Sequence, residues 1–450
     1  MASLAPDDLL ARWKEITEAW VAIPSVSTDP AHKEDCRRAG QWLADLLYDA
    51  GGTVELLEGY GNPIVLGRVD VGAPTTIVVY GHYDVQPAAR EEGWATDPFE
   101  LVYREGRYFA RGVMDNKGQV AVHLAAVLAL KEAGALAHNV VFFVEGDEET
   151  GSPRLADAVQ LAKEHLRKDV IVVSDGVRER DFPTLEMSFR GGFNARVWIR
   201  TLAADQHSGM MSRVVPNAPE VLVRLLAHAL QEGEGGLFEI LARDAPEPSV
   251  EAEADLAALP FDREAIARAT GAKVVYPQNA QEYGRWVGLE PSLSITTLRA
   301  GYLGEGYRNA LAASVEAKIN VRLAPQQDPE AAAERFREWW RERFAQTEEV
   351  VEGDVVVDTP YRGVMLPRDN PWLNRAARVW EEVAGRAPVR TYCGGSIPVV
   401  TLFHEKVGAP LVVTPLASEG SNIHGPNENL DEAVLREGLV WSARWFGARK

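Results

Sequence analysis

The strongest constraint on this chain is a junction between a buried strand and an acidic loop. Val140-Val141-Phe142-Phe143-Val144 runs directly into Glu145-Gly146-Asp147-Glu148-Glu149-Thr150-Gly151-Ser152. The first five residues are apolar and β-branched or aromatic, and read as a strand buried on both faces. The loop then places four acidic residues in five positions. Like charges packed so closely repel. A bound cation would offset them and keep them ionised; a solvated acidic turn reads equally well from the loop alone.

The same arrangement recurs along the chain. Residues 75–80 form a second apolar run, followed by Gly81-His82-Tyr83-Asp84-Val85-Gln86-Pro87. Residues 170–174 form a third, leading into Asp175-Gly176. Helices predicted over 119–132 and 155–166 alternate with these strands. The alternation predicts an α/β fold with a mostly parallel sheet flanked by helices. Ligands on such sheets sit outside the C-terminal ends of the strands. His82, Glu148, Glu149 and Asp175 all fall just past those ends.

Helices are predicted over 6–22 and 36–50, and strands over 53–57 and 64–69. The texture changes near Phe189-Arg190-Gly191-Gly192. Strands over 193–200, 291–300, 311–323 and 350–357, with helices over 217–231 and 328–344, follow in the order β-α-β-β-α-β. That order predicts an inserted two-layer α+β domain. Residues 232–290 are acidic and weakly periodic, and read as an insertion within it. After Gly363 the first texture returns, with a helix over 372–383 and a strand over 411–414. The expected division is one domain from 1–187 and 363–450, with 188–362 inserted.

At 450 residues the chain can build two cores. Its 47 basic and 66 acidic residues give a formal charge of −19, which argues against nucleic acid or an anionic membrane surface as a partner. No apolar run approaches the length of a spanning helix, and the first twenty residues are too acidic for a signal peptide. The two cysteines, Cys36 and Cys393, form no disulfide framework. A soluble protein of the reducing cytoplasm is expected.

His82 and Asp84 point the same way if the chain stays extended, like a metal ligand and its orienting partner. Taken singly, each candidate has a plainer role. Asp115 precedes a helix and suits an N-cap, Asp175 suits a turn, and His424 suits a surface loop. Together they make two histidines, three aspartates and two glutamates on loops expected to converge. Mixed imidazole and carboxylate donors suit Zn²⁺, Co²⁺ or Mn²⁺, and the excess of carboxylates suits two ions. Two such ions about 3.5–4 Å apart share a carboxylate and an activated water. A spare carboxylate beside it can take the water's proton.

The motifs Gly81-His82-Tyr83-Asp84-Val85-Gln86-Pro87, Met114-Asp115-Asn116-Lys117-Gly118, Glu145 to Ser152, Ser174-Asp175-Gly176 and Asn422-Ile423-His424-Gly425-Pro426-Asn427-Glu428 closely resemble those of the dinuclear zinc exopeptidases. That family includes cytosolic dipeptidases, carnosinases, carboxypeptidase G and aminoacylase. The resemblance implies that Asp115 bridges two metals, with a cis peptide after it. His82 and Asp175 would complete one site, and Glu149 and His424 the other. Glu148 would be the general base, and Asp84 would hold the tautomer of His82. The inserted domain resembles the family's lid and dimerisation domain, which implies a homodimer. His207 would then reach a second subunit's site and stabilise the oxyanion. Arg322, Gly395 and Ser396 would bind a substrate carboxylate. On their own, His207 reads as a polar loop residue, Arg322 as a strand-end salt bridge and Ser396 as an N-cap. Aspartate at 175 resembles the dipeptidase branch, so a small peptide substrate is implied. An N-acyl amino acid deacylase or a carboxypeptidase is the alternative. Two divalent ions per subunit are implied, zinc first, with manganese or cobalt accepted by the same donors.

Overall fold

The computed structural model describes residues 4–447 except 232, 234 and 396. Its larger sheet has nine strands. In spatial order these are Thr53–Leu57, Ile64–Val69, Asn139–Glu145, Thr76–His82, Val170–Val173, Leu411–Val413, Thr184–Phe189 and Val364–Met365, with Val389–Cys393 also paired to Thr184–Phe189. The four central strands, from Asn139–Glu145 to Leu411–Val413, run parallel to one another. Antiparallel pairs flank them on both sides. The fold is therefore α/β, as the apolar runs predict.

Both faces of the central strands are covered, which is why they carry no polar alternation. Ile77 and Val79 face a core shared with helices Pro6–Val21, Lys117–Glu132 and Glu432–Gly447. Val78 and Tyr80 face a second core closed by Leu155–Leu166 and Pro398–Leu402. The helix Lys117–Glu132 lies close against the sheet. A Cβ on Gly118 would stand 1.8 Å from the Val113 carbonyl oxygen, and one on Gly81 would meet Val120 Cγ2 at 2.2 Å. Only glycine allows either approach.

The smaller sheet is antiparallel, in the order Ser292–Ala300, Ser314–Leu323, Gly191–Arg200, Glu352–Val357. Phe193, Ala195, Val197 and Ile199 point inward, while Asn194 and Arg196 are exposed. This alternation marks a sheet with one buried face. Helices Ala218–Ala229 and Pro329–Gln346 cover that face. Ser292–Ala300 forms an open edge, with Ile295 and Leu298 exposed.

Residues 245–290 behave differently from their sequence reading. Ala252, Leu256, Leu259 and Leu289 pack into the first core of the large sheet rather than beside the small one. Asp255 anchors the segment, accepting from Arg368 and from the Tyr392 hydroxyl at 2.9 Å. Among the described residues, no helix is long and apolar enough to cross a membrane. Cys36 and Cys393 are both free.

Candidate metal centre

The parallel strands deliver their C-terminal ends to one rim. His82 closes Thr76–His82, Glu148 and Glu149 occupy the turn after Asn139–Glu145, and Asp175 lies two residues past Val173. Asp115 stands two residues before the helix Lys117–Glu132, and His424 lies on the loop after Leu411–Val413.

Asp115 is the centre of the cluster. Its Oδ1 lies 3.0 Å from His82 Nε2, and its Oδ2 lies 3.0 Å from His424 Nε2. One carboxylate therefore offers one oxygen to each imidazole. Asp175 Oδ2 is 3.7 Å from His82 Nε2, and Glu149 Oε2 is 3.3 Å from His424 Nε2. Two groups result, His82–Asp115–Asp175 and Asp115–Glu149–His424, each with all donor atoms within 4.8 Å of one another. Glu148 belongs to neither. The peptide between Asp115 and Asn116 is cis.

Asp84 organises this rim. His82 Nδ1 is 3.0 Å from the Asp84 carbonyl and 3.3 Å from its carboxylate. A carbonyl only accepts, so Nδ1 carries a proton, and Nε2 is the nitrogen turned to Asp115, where a cation would compete for its lone pair. The Asp84 carboxylate also accepts from the amides of Glu148 and Glu149, at 3.2 and 3.0 Å, and from Ser27 Oγ at 2.6 Å. It thus pins the acidic turn against the histidine strand.

The electrostatics show strain that a cation would relieve. Burial lifts Glu148 to about 8, with His82 opposing and Asp175 and Asp115 adding to the rise. Burial and the charge of Asp115 push Asp175 up to about 6. Burial works against a charged His82, yet bonds to Asp115 and Asp84 raise its pKa well above the usual value. Hydrogen bonds to Asp115 and Glu149 raise His424 to about 10. Protons occupy positions where metal ions would compete for the same lone pairs. The mixture of imidazole nitrogens and carboxylate oxygens fits divalent zinc, manganese or cobalt.

Several supporting residues are not apparent from sequence. Glu428, fully buried, accepts from Arg111 Nη1 at 2.6 Å and from the amides of Gly112, Met114 and Asp115 at 3.2, 2.8 and 3.0 Å. Arg111 Nη2 donates in turn to the carbonyls of His424 and Gly425. This pair joins the Asp115 loop to the His424 loop. It also holds His424 at φ 58°, a left-handed conformation that a histidine adopts at a cost. Glu186 is a second missed acid. Burial, with the charge of Asp175, pushes it up to about 8.

Arg322, Gly395 and His207 each have contacts of their own. Arg322 Nη1 donates to the Tyr361 hydroxyl at 2.8 Å. Burial and the charge of Arg322 bring its neighbour Arg190 down to about 10. Arg190 in turn donates from its backbone amide to the Gly395 carbonyl at 3.0 Å, and from Nε to that of Gly394 at 2.9 Å. Ser396 lies outside the described residues. His207 is exposed, in a short strand paired with Ala310–Leu311, and bonds none of the rim residues among those described.

A shared aspartate, two flanking imidazoles, two outer carboxylates and one spare acid define a metal-dependent hydrolase. The description of Peptidase family M20/M25/M40 matches residues 78–446, and the chain belongs to this family. It is a hydrolytic metallopeptidase, as the motifs imply. A Cys-Gly metallodipeptidase of Candida albicans is similar, 27% identical over 454 residues, covering 94% of this chain and 92% of its own. So is the human Beta-Ala-His dipeptidase, 27% identical over 463 residues, covering 98% and 90%. The solved structure of human carnosine dipeptidase 1 resembles this one with a TM-score of 0.82 at 26% identity, covering 98% of this chain and 97% of that one.

Proposed function

We propose that this protein hydrolyses the peptide bond of dipeptides or short peptides at a pair of divalent metal ions. The observation that carries the reading is the Asp115 carboxylate facing His82 with one oxygen and His424 with the other. His82, Asp115 and Asp175 would hold one ion, and Asp115, Glu149 and His424 the second. When bound, the ions supply Lewis-acid chemistry, polarising the substrate carbonyl and acidifying a water. Zinc is the first choice, with manganese or cobalt compatible.

The protein's own groups then act as follows. Glu148, outside both ligand groups, takes the proton of the attacking water and returns it to the leaving amine. Its carboxylate lies outside both ligand groups, which leaves it free for both transfers. Asp84 fixes the His82 tautomer. Arg322, Gly395 and Ser396 bind the substrate's terminal carboxylate. His207 of a second copy stabilises the oxyanion. The exposed edge of Ser292–Ala300 supports a homodimer, since open edges invite pairing. Residues 1–187 and 363–450 would form the catalytic domain, and 188–362 the lid and dimerisation domain, apart from 245–290, which pack on the core of the large sheet. Free cysteines are in keeping with the cytoplasm.

The test pairs two measurements. Turnover of a dipeptide panel should exceed that of matched N-acetyl amino acids; the reverse order would make the protein a deacylase. Glu148→Gln should keep its metal and lose about 10²–10⁴-fold in turnover. Near-normal turnover in that variant would remove Glu148 from the mechanism.

A further inference from the structure

Glu186 sits within the strand Thr184–Phe189 and is 7% exposed. Its Oε2 is buried with no partner, and neither oxygen bonds any described residue. A buried carboxyl without a partner is costly and uncommon, and needs a reason.

The sheet register fixes where Glu186 points. It pairs with Thr391 on one side and Val413 on the other, and Val413 pairs with Val173. Paired residues share a face, and alternate residues along a strand return to it. Asp175 lies two residues beyond Val173, which brings that face to the metal centre. Glu186 Oε1 stands 3.9 Å from the point where a Cβ on Gly176 would lie. Thr391 Oγ1 is a second buried oxygen without a partner on the same row. Thr391 also opens the segment that leads to the Gly394-Gly395 turn.

Charge favours a cationic guest here. Beside the carboxyls of Asp115, Asp175, Glu148 and Glu149 the rim holds the buried Asp84. Glu186 brings a further acid to the Asp175 side, so acidic groups outnumber what two divalent ions would offset. We propose that Glu186 recognises the free α-ammonium of the substrate, with Thr391 Oγ1 as a second acceptor, and so selects peptides with an unblocked amino terminus. This inference rests on the dipeptidase reading above. In a dipeptide the ammonium nitrogen is one carbon away from the carbonyl under attack, so it must sit at the rim of the metal pair. An N-acyl amino acid brings no charge there and leaves Glu186 buried and unpaired. Sites built to bind a polar group reject analogues that lack it.

The test compares a dipeptide with alanine at its amino terminus and the corresponding N-propionyl amino acid, which differs only in lacking the amine. Glu186→Gln should lower kcat/KM for the dipeptide by about 10- to 100-fold and leave the propionyl compound little changed. The ratio of the two is independent of the folded fraction, because one active population turns over both substrates. Thr391→Val should shift the ratio the same way by less. Binding of a non-hydrolysable dipeptide analogue should weaken in Glu186→Gln only when the analogue carries its amine, and metal content should stay at the wild-type level. An unchanged ratio in Glu186→Gln overturns the proposal, whatever happens to overall rate or metal content. A wild-type enzyme that prefers the propionyl compound overturns the dipeptidase reading itself, and this inference with it.

Discussion

Removing the Glu428 carboxylate should disconnect the two halves of the metal centre. Glu428 is fully buried and Arg111 is 2% exposed. Burial raises the pKa of Glu428 even with Arg111 beside it, so desolvation offsets most of what the pair gains by attraction. The intact pair therefore adds little net stability, but breaking it strands a buried guanidinium. That costs about 3–5 kcal/mol. Glu428→Ala also orphans the amides of Gly112, Met114 and Asp115, each worth about 1–3 kcal/mol if no water replaces the carboxylate. The stranded charge sets the floor, so Glu428→Ala should cost at least about 3 kcal/mol. Glu428→Gln keeps the volume and one acceptor, and should cost nearly as much because Arg111 still lacks its counter-charge. Replacing Arg111 by methionine in the Glu428→Gln background should recover part of the loss, since the two act as a unit. Urea unfolding of the metal-free variants, followed by tryptophan fluorescence, reads these differences. Chelator competition should show metal affinity lower by about 10- to 100-fold, because the pair orients Asp115 and His424 from behind. A Glu428→Ala protein that unfolds at the wild-type urea concentration and holds metal normally would refute the reasoning.

Mixing two inactive variants tests the role of His207 across subunits. In the proposed homodimer, His207→Ala and Glu148→Gln should each be nearly inactive, while exchange into mixed dimers should restore roughly a quarter of wild-type activity, one competent site in half of the dimers. No recovery after proven exchange would confine His207 to its own subunit or remove it from the reaction. His123 gives a pH prediction that does not depend on the metal ligands. Burial holds its imidazole at about 3 against an ordinary 6.5, between Ser442 Oγ and Ser174 Oγ. Below pH 6.5 the unfolded chain takes up this proton and the folded chain does not, so stability should fall by about 1.4 kcal/mol per pH unit down to about pH 3. The difference between wild type and His123→Asn isolates that contribution, and parallel stability curves for the two would contradict it.

The elements legible in sequence are those whose side-chain pattern is set locally. Val140 to Val144 and Val170 to Val173 are buried on both faces and carry no competing signal. The alternation from Phe193 to Ile199 declares a half-buried strand. Thr184–Phe189 was not legible, because Glu186 and Ser188 give it the look of a solvated stretch although both are buried. Val389–Cys393 is short and mixed, and it becomes a strand only by pairing with Thr184–Phe189. The segment 245–290 has weak periodicity because its short helices bury only a few apolar residues, which pack on the core of the large sheet as well as on one another. At the site, His82, Glu149 and Asp175 could be expected on one rim because each follows a parallel strand, while the pairing of these residues with Asp115 and His424 rests on the motif resemblance; the structure brings the five together. The Arg111–Glu428 pair could not, since its partners are 317 residues apart and each alone resembles a surface charge.

The account depends on Asp115 holding one cation against His82 and another against His424. Anomalous diffraction from crystals of the metal-loaded protein, recorded across the absorption edge of the bound metal, addresses this directly. Two peaks per chain are expected, one on each side of the Asp115 carboxylate, with Asp175 beside the first and Glu149 beside the second. A single peak, or metal bound away from Asp115 in fully loaded and active protein, would contradict it.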